Sequence, residues 1–334
     1  MMNIKQLSYR RLGYHLSREQ KLLLQAVALQ GQPGISAWEQ WQKLVDLENL
    51  DSASNALLCQ LYRNLRANQV QHQYLTRLKG IYKRNWYGNQ LQLQKLQTVL
   101  LAFESHSLEV LVLDEIALIE QYYQDRGSRP IHQLNLLIYP EVMEEGSLLL
   151  QQLGWKLVTK GVSAEDLWLQ FQDDSGVQLC LWGNLFHYSP FPSVLVAKQL
   201  WNETSACNLG ANTAILSPNN LLLRLSSRIF QRGQKPQLGM LLDGMTICQN
   251  ESINWIELIA QAQSYQVILP LRNMLLLLQQ VCQLEVPPWA ISALYQIPLS
   301  NRELVEYQIL ATNRKTLLKS WLIRPLTKLK AAFA

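Results

Sequence analysis

The side chains best placed to do chemistry fall between residues 108 and 141. They are Asp114, Glu115, Asp125, Arg129 and His132, followed by the amides Gln133 and Asn135. Asp114 and Glu115 are adjacent, so on a strand they would point to opposite faces and could not share one metal ion. At a helix start they would instead complement the positive end of the helix dipole, which is the simpler role. Arg129 is a candidate phosphate clamp. His132, at a loop or strand edge, is expected to make an ordinary hydrogen bond. The other histidines, His15, His72, His106 and His187, stand at no metal-binding spacing. The cysteines Cys59, Cys180, Cys207, Cys248 and Cys282 are odd in number, widely spaced and without a C-x-x-C pair, which points to reduced thiols and a cytoplasmic protein.

The elements that must hold these residues can be read from the pattern. Leu108–Leu113 is an aliphatic run fit for a strand buried on both faces, and Leu134–Tyr139 is a second one. Between them, Ile116–Tyr123 has helical spacing, and Gly127 and Pro130 mark a loop. The two strands are expected to be neighbours. A helix follows over Val142–Leu153, then hairpin strands in WKLVTK, LWLQF and VQLCLW from Trp155 to Leu185. Upstream, residues 17–104 read as helices: Glu19–Leu29 after a Ser17 cap, Ala37–Val45 after the breakers Gly31, Pro33 and Gly34, then Asn55–Leu65 and Gln73–Phe103. In Lys79–Trp86, KGIYKRNW, the spacing suggests an exposed basic face beside a packed aromatic face. From about residue 192 the chain reads as helical pieces punctuated by prolines from Pro218 to Pro298.

These residues carry a resemblance. The chain resembles the uncharacterised bacterial nucleotidyltransferase family of the polymerase-β-like superfamily. That family shows Leu-Lys-Gly at the end of its first strand, Tyr at the helix end, then Arg-Pro and Asp-x-Asp-Leu-Leu-Val before a proline. Here Val112, Leu113, Asp114 and Glu115 stand at the first motif, and Tyr122 or Tyr123 at the helix end. Arg129–Pro130 stands at Arg-Pro, and Gln133, Leu134, Asn135, Leu136, Leu137, Ile138 and Pro140 at the last motif. Leu179, Cys180, Leu181 and Trp182 stand at the place of Glu-Leu-His-Trp, so only the Trp is kept. The later Leu-rich helix, Asp and Trp are matched by Leu221–Leu225, Asp243 and Trp255. The resemblance spans roughly residues 20–290.

The resemblance implies an α/β (α+β) fold with a small mixed sheet of nucleotidyltransferase type, flanked by helical N- and C-terminal parts. The expected divisions are a helical part at 1–104, the α/β core at 105–190, a helical part at 191–311 and a basic amphipathic tail at 312–334. The catalytic positions are degenerate: Gln133, Asn135 and Leu179 stand where carboxylates would. Two-metal phosphoryl transfer needs anionic oxygen ligands, and an amide oxygen is neutral. The reading is therefore a pseudoenzyme that binds or scaffolds, with no cofactor and no metal. The alternative is an active transferase that moves a nucleotide monophosphate from an NTP to a hydroxyl with Mg²⁺ at a relocated site. It would use Asp114, Glu115 and Asp125 as ligands and Arg129 as clamp, with Asp114, Glu115 and Arg129 as the nucleotide-binding candidates.

Composition fits an ordinary globular chain. Of its 334 residues 48% are hydrophobic and only 16% charged, with a net charge of +5. That charge is too small to argue for nucleic acid. No apolar run approaches the length needed to span a bilayer, and no apolar segment follows the N-terminus to make a secretory signal. Residues 314–333 carry Arg314, Lys315, Lys319, Arg324, Lys328 and Lys330 without an acid, and Leu318, Leu322, Leu326, Leu329 and Phe333 at helical spacing. Such a tail packs on its own domain, binds a protein partner or lies on an anionic membrane surface.

Overall fold

Ser17 opens the first helix with a reciprocal cap: its hydroxyl accepts from the Gln20 N–H, and the Gln20 side chain accepts from the Ser17 N–H. A computed structural model of the chain describes residues 16–162, 167–186, 199–230, 237–301 and 303. Helix α1 covers Arg18–Ala28. The breakers that follow act differently from expectation. Gly31 takes φ 63° as N-cap and Pro33 sits in the first turn, so α2 runs Gln32–Trp41 rather than starting at Ala37. A first-turn proline loses nothing, because its missing N–H would have had no partner inside the helix. Short α3 (Ser52–Asn55), α4 (Leu58–Ala67) and the 32-residue α5 (Tyr74–Ser105) follow. Within KGIYKRNW the expected faces form in part: Ile81 and Tyr82 pack against the core and Lys83 and Arg84 are exposed, but Trp86 is 43% exposed.

Among the described residues the sheet has seven strands. They are β1 (Val110–Val112), β2 (Leu134–Leu137), β3 (Lys156–Val162), β4 (Leu167–Gln172), β5 (Gln178–Trp182), β6 (Thr204–Ala206) and β7 (Thr213–Leu216), in the order β3-β4-β5-β2-β1-β7-β6. It is mixed. β1 is antiparallel to β2, as the two aliphatic runs predicted, but β2 is parallel to β5 and β1 to β7. Between β1 and β2 run α6 (Asp114–Leu118) and a single wide π-helical turn over Ile119–Tyr123. After β2, α7 covers Met143–Gln152. Two strands were not expected: β6 and β7 lie in the stretch read as helical, so the sheet crosses the boundary drawn at residue 190. Both are short and carry no long alternating pattern.

Helices cover both faces. α7 lies on the face that bears Leu181: a Cβ on its Gly146 would meet Ile138, Leu181 and the α5 residue Phe103. The opposite face bears Asn135, Cys180 and Trp182, since partnered residues of neighbouring strands point the same way. Against it lies α8 (Pro218–Ile229), which packs in turn on α9 (Leu238–Asn250) and α11 (Ile268–Cys282). The terminal parts do not take one face each. α1 packs on α9 and α11, with Gln25 Nε2 donating to Val281 O at 3.0 Å. α10 (Trp255–Ser264) and α12 (Pro288–Gln296) complete this layer. Pro218 and Pro288 open their helices and Pro270 lies in the first turn of α11, so these prolines start helices rather than cut them. Among the described residues no helix is long and apolar enough to cross a membrane. The basic segment 314–333 lies outside the described residues.

Candidate functional site

The turn from β1 into α6 is where the backbone departs from ordinary geometry. Asp114 has φ 58°, in the left-handed region that glycine enters without strain. The chain therefore keeps a glycine-like turn at this point while carrying a carboxylate. That carboxylate is buried against two arginines of α8. Arg224 Nε meets Oδ1 at 2.7 Å and Arg224 Nη2 meets Oδ2 at 3.0 Å, while Arg228 Nη1 also reaches Oδ2. Burial alone would raise the Asp114 carboxyl; the two guanidinium groups outweigh it and hold the group well below the ordinary carboxylate range.

Glu115 faces another way. It is buried, with Oε1 3.3 Å from His132 Nδ1 and 3.9 Å from Arg129 Nη2. Burial opposes its ionisation, but the His132 hydrogen bond and the Arg129 charge lower it overall. Asp114 and Glu115 do stand in the first turn of a helix, as expected, yet both are buried ion-pair partners rather than solvated dipole caps.

Arg129 is 1% exposed. Its Nε lies 3.2 Å from both oxygens of Asp243 on α9 and its Nη2 lies 3.1 Å from Asp243 Oδ2. Tyr123 donates its hydroxyl to the same carboxylate at 2.7 Å. The fit is close: a Cβ on Gly239 would come within 2.7 Å of the Arg129 guanidinium carbon. Arg129 Nη1 is buried and has no hydrogen-bond partner among the described residues. An unpaired buried donor costs on the order of 1–3 kcal/mol, and more when charged.

The two amides do not leave a metal site between them. Asn135 Oδ1 accepts from Gln133 Nε2 at 3.0 Å and from Trp182 Nε1 at 3.0 Å. An indole N–H can only donate, so it fixes the Asn135 oxygen toward it. Two donors fill both lone pairs of that oxygen. Trp182 is packed from its other side by the Arg224 guanidinium, 5.1 Å from the ring centroid. Where metal ligands would converge, the chain has a hydrogen-bonded amide pair, an indole and a guanidinium. Leu179 is not on this face: it pairs with Leu134 and is fully buried. The strand position that shares Asn135's face is Cys180, whose thiol burial pushes up to about 12, far from the thiolate a metal would need.

Gln133, Asn135, Glu115, Arg129 and His132 line one cleft of about 510 Å³, closed by Ser52 and Ala53 of α3, Arg228 of α8 and Gln237, Leu238 and Gly239 at the start of α9. Asp125 is not in it. Its carboxylate is held by Arg63 Nε at 2.8 Å and by the Tyr82 hydroxyl at 2.8 Å, in a separate depression shared with Tyr62 and Arg66. Tyr139 lies outside the cleft too, stacked on Trp201 at 4.5 Å. Arg224 and Arg228 were not singled out from sequence. Their signal was two arginines four apart, one helical turn, in the otherwise apolar LLLRLSSRI.

Solved structures with some similarity include the antibiotic-resistance factor ANT(2'')-Ia, at 10% identity over 53% of this chain and 93% of that one, with a TM-score of 0.39. Another is an antigenic nucleotidyltransferase-like protein from Paracoccidioides brasiliensis, at 14% identity over 64% of this chain and 98% of that one, with a TM-score of 0.36. At these scores neither likeness bears on what this chain acts on. No curated protein matches the sequence. The model of one family matches residues 38–283, most of the chain and all of the cleft, and the chain belongs to that family: the uncharacterised nucleotidyltransferases.

Proposed function

We propose that this protein is a nucleotidyltransferase-family pseudoenzyme, a chain that binds through the inherited cleft and does not transfer nucleotides. One observation carries the reading: the Asn135 oxygen, at the position of a metal-binding carboxylate, is filled by N–H donors from Gln133 and Trp182. Mg²⁺ surrenders its waters reluctantly and needs anionic oxygens to do so. A neutral, doubly hydrogen-bonded amide offers it nothing.

The alternative of a relocated metal site finds less support. It requires two of Asp114, Glu115 and Asp125 to face a common ion. Both Asp114 oxygens face guanidinium groups, and Asp125 is held by Arg63 and Tyr82 in another depression. For partners, our reading is a protein engaged through the basic tail 314–333, with an anionic membrane surface as the competing outcome.

The test is incubation of the full chain with labelled ATP, GTP, CTP or UTP, Mg²⁺ and candidate acceptors. No incorporation is expected. Incorporation that disappears in Gln133→Ala would overturn the pseudoenzyme reading.

A further inference from the structure

We propose that the outer face of α5 is a dimer seam: two copies of the chain pack α5 on α5, antiparallel and centred on Gln94. The proposal is independent of what the cleft does.

Its basis is the composition of that face. The solvent side of a helix ordinarily carries charged side chains. From Asn85 to Phe103 the one charged residue is Lys95, and Lys95 is tied to Asp173. The outer face is instead Tyr87, Leu91, Gln94, Thr98 and Leu101, at steps of four, three, four and three, the spacing of a helix–helix seam. All five are exposed, Leu91 by 50%, Leu101 by 56% and Tyr87 by 65%. Beside them, Trp86, Gln90 and Leu93 join Leu209 and Arg126 around a groove of about 520 Å³ that opens on the stripe. Contiguous apolar surface of this kind on a globular fold marks a contact site.

Charge decides the occupant. Lys83 and Arg84 stand at one end of the stripe and Glu104 at the other, and none of them has an ion-pair partner among the described residues. The two ends lie about 30 Å apart along the helix, too far to pair within one copy. An antiparallel copy brings opposite ends together. With Gln94 on the two-fold axis, Lys83 and Arg84 fall beside the partner's Glu104. Tyr87 then falls on the partner's Leu101, Leu91 beside the partner's Thr98, and Gln90 beside the partner's Gln97, amide to amide. A parallel copy would set Lys83 and Arg84 against themselves. The basic tail is a poorer occupant, because its cations would meet Lys83, Arg84 and Arg126.

The seam is one helix wide, about 10 Å, and about 30 Å long. That is well below the roughly 800 Å² per partner of a standard interface, so the dimer belongs to the weak, reversible class with micromolar dissociation.

The experiment is sedimentation velocity of the full chain from about 1 µM to about 500 µM, a range that brackets such a dissociation constant. The sedimentation coefficient should rise from monomer to dimer across it. Leu101→Glu and Tyr87→Glu, exposed positions whose melting temperature should not change, should each weaken association by about tenfold or more. Glu104→Lys should weaken it as well, and adding Lys83→Glu and Arg84→Glu to Glu104→Lys should restore it. That rescue requires the antiparallel register and would not occur with a partner of another kind. Gln94→Cys should cross-link to its copy on oxidation, while Ser105→Cys, far from the axis, should not. A monomer at every concentration, a dimer indifferent to Leu101→Glu and Tyr87→Glu, failure of the charge rescue, or equal cross-linking at the two cysteine positions would each overturn the proposal. A monomer that also loses many degrees of melting temperature in Leu101→Glu would show the stripe covered by the chain's own tail, and would overturn it too.

Discussion

Asp114 concentrates the energetics of the site in one residue. It accepts a left-handed backbone and places a carboxylate between two arginines of α8. Removing one partner of a buried ion pair strands the other, so Asp114→Asn should lower stability by about 3–5 kcal/mol in urea unfolding. The pH dependence follows from the direction of its shift. The folded carboxyl is held below its ordinary range, so its stabilisation is complete above the unfolded value and is lost as pH falls toward the folded one. Wild type should therefore lose stability below about pH 4 more steeply than Asp114→Asn, read from urea midpoints across an acid series. Little of this was legible in the sequence. Asp114 reads as an acid at a helix start, and only the packing of α8 shows what it faces.

At the scale of elements, α5 is the rail that positions the Arg129 loop. Four side chains on one of its faces reach the loop: Tyr82 to the Asp125 carboxylate, Asn85 to Gly127 O at 2.9 Å, Asn89 to Arg126 O and Arg129 O, and Gln92 to Ile131 O at 2.8 Å. Asn89 also accepts from Ile131 N at 3.1 Å and is buried. Asn89→Ala should cost about 1–3 kcal/mol for the carbonyls and N–H it leaves unpaired. It should also raise hydrogen exchange across residues 125–131 while the strands stay protected; unchanged exchange in the loop would show that α5 does not set it. The helix itself was readable from its apolar spacing. Asparagines on its packed face were the available hint that it holds a loop as well as a core.

For the whole molecule, the open matter is what the basic tail contacts. The described core runs without interruption from Leu16 through the sheet to Leu294, and Glu303 is tied back to α11, accepting from Leu269 N at 2.5 Å. If the tail acts in binding, deleting residues 314–334 should leave the melting temperature nearly unchanged and abolish association with a protein partner or anionic vesicles. A tail packed on its own fold would bury Leu318, Leu322, Leu329 and Phe333 at about 1.5–3 kcal/mol each. Its deletion would then lower the melting temperature by many degrees, and that result would sink the docking role.

The sequence by itself determined the elements that depend on local pattern. The aliphatic runs became β1 and β2, the alternating segments became β3 to β5, and the Ser17 cap opened α1, because period and capping are properties of neighbouring residues. It also determined that no carboxylate stands at Gln133 and Asn135. What only the tertiary structure decided is how distant charges pair. Arg224 and Arg228 meet Asp114 from more than a hundred residues away, Asp243 meets Arg129, and Trp182 closes the oxygen of Asn135. Strand register set the last of these, since a shift of one residue would have put Leu179 rather than Cys180 beside Asn135. Such pairings follow from which surfaces pack together, and no local spacing encodes that.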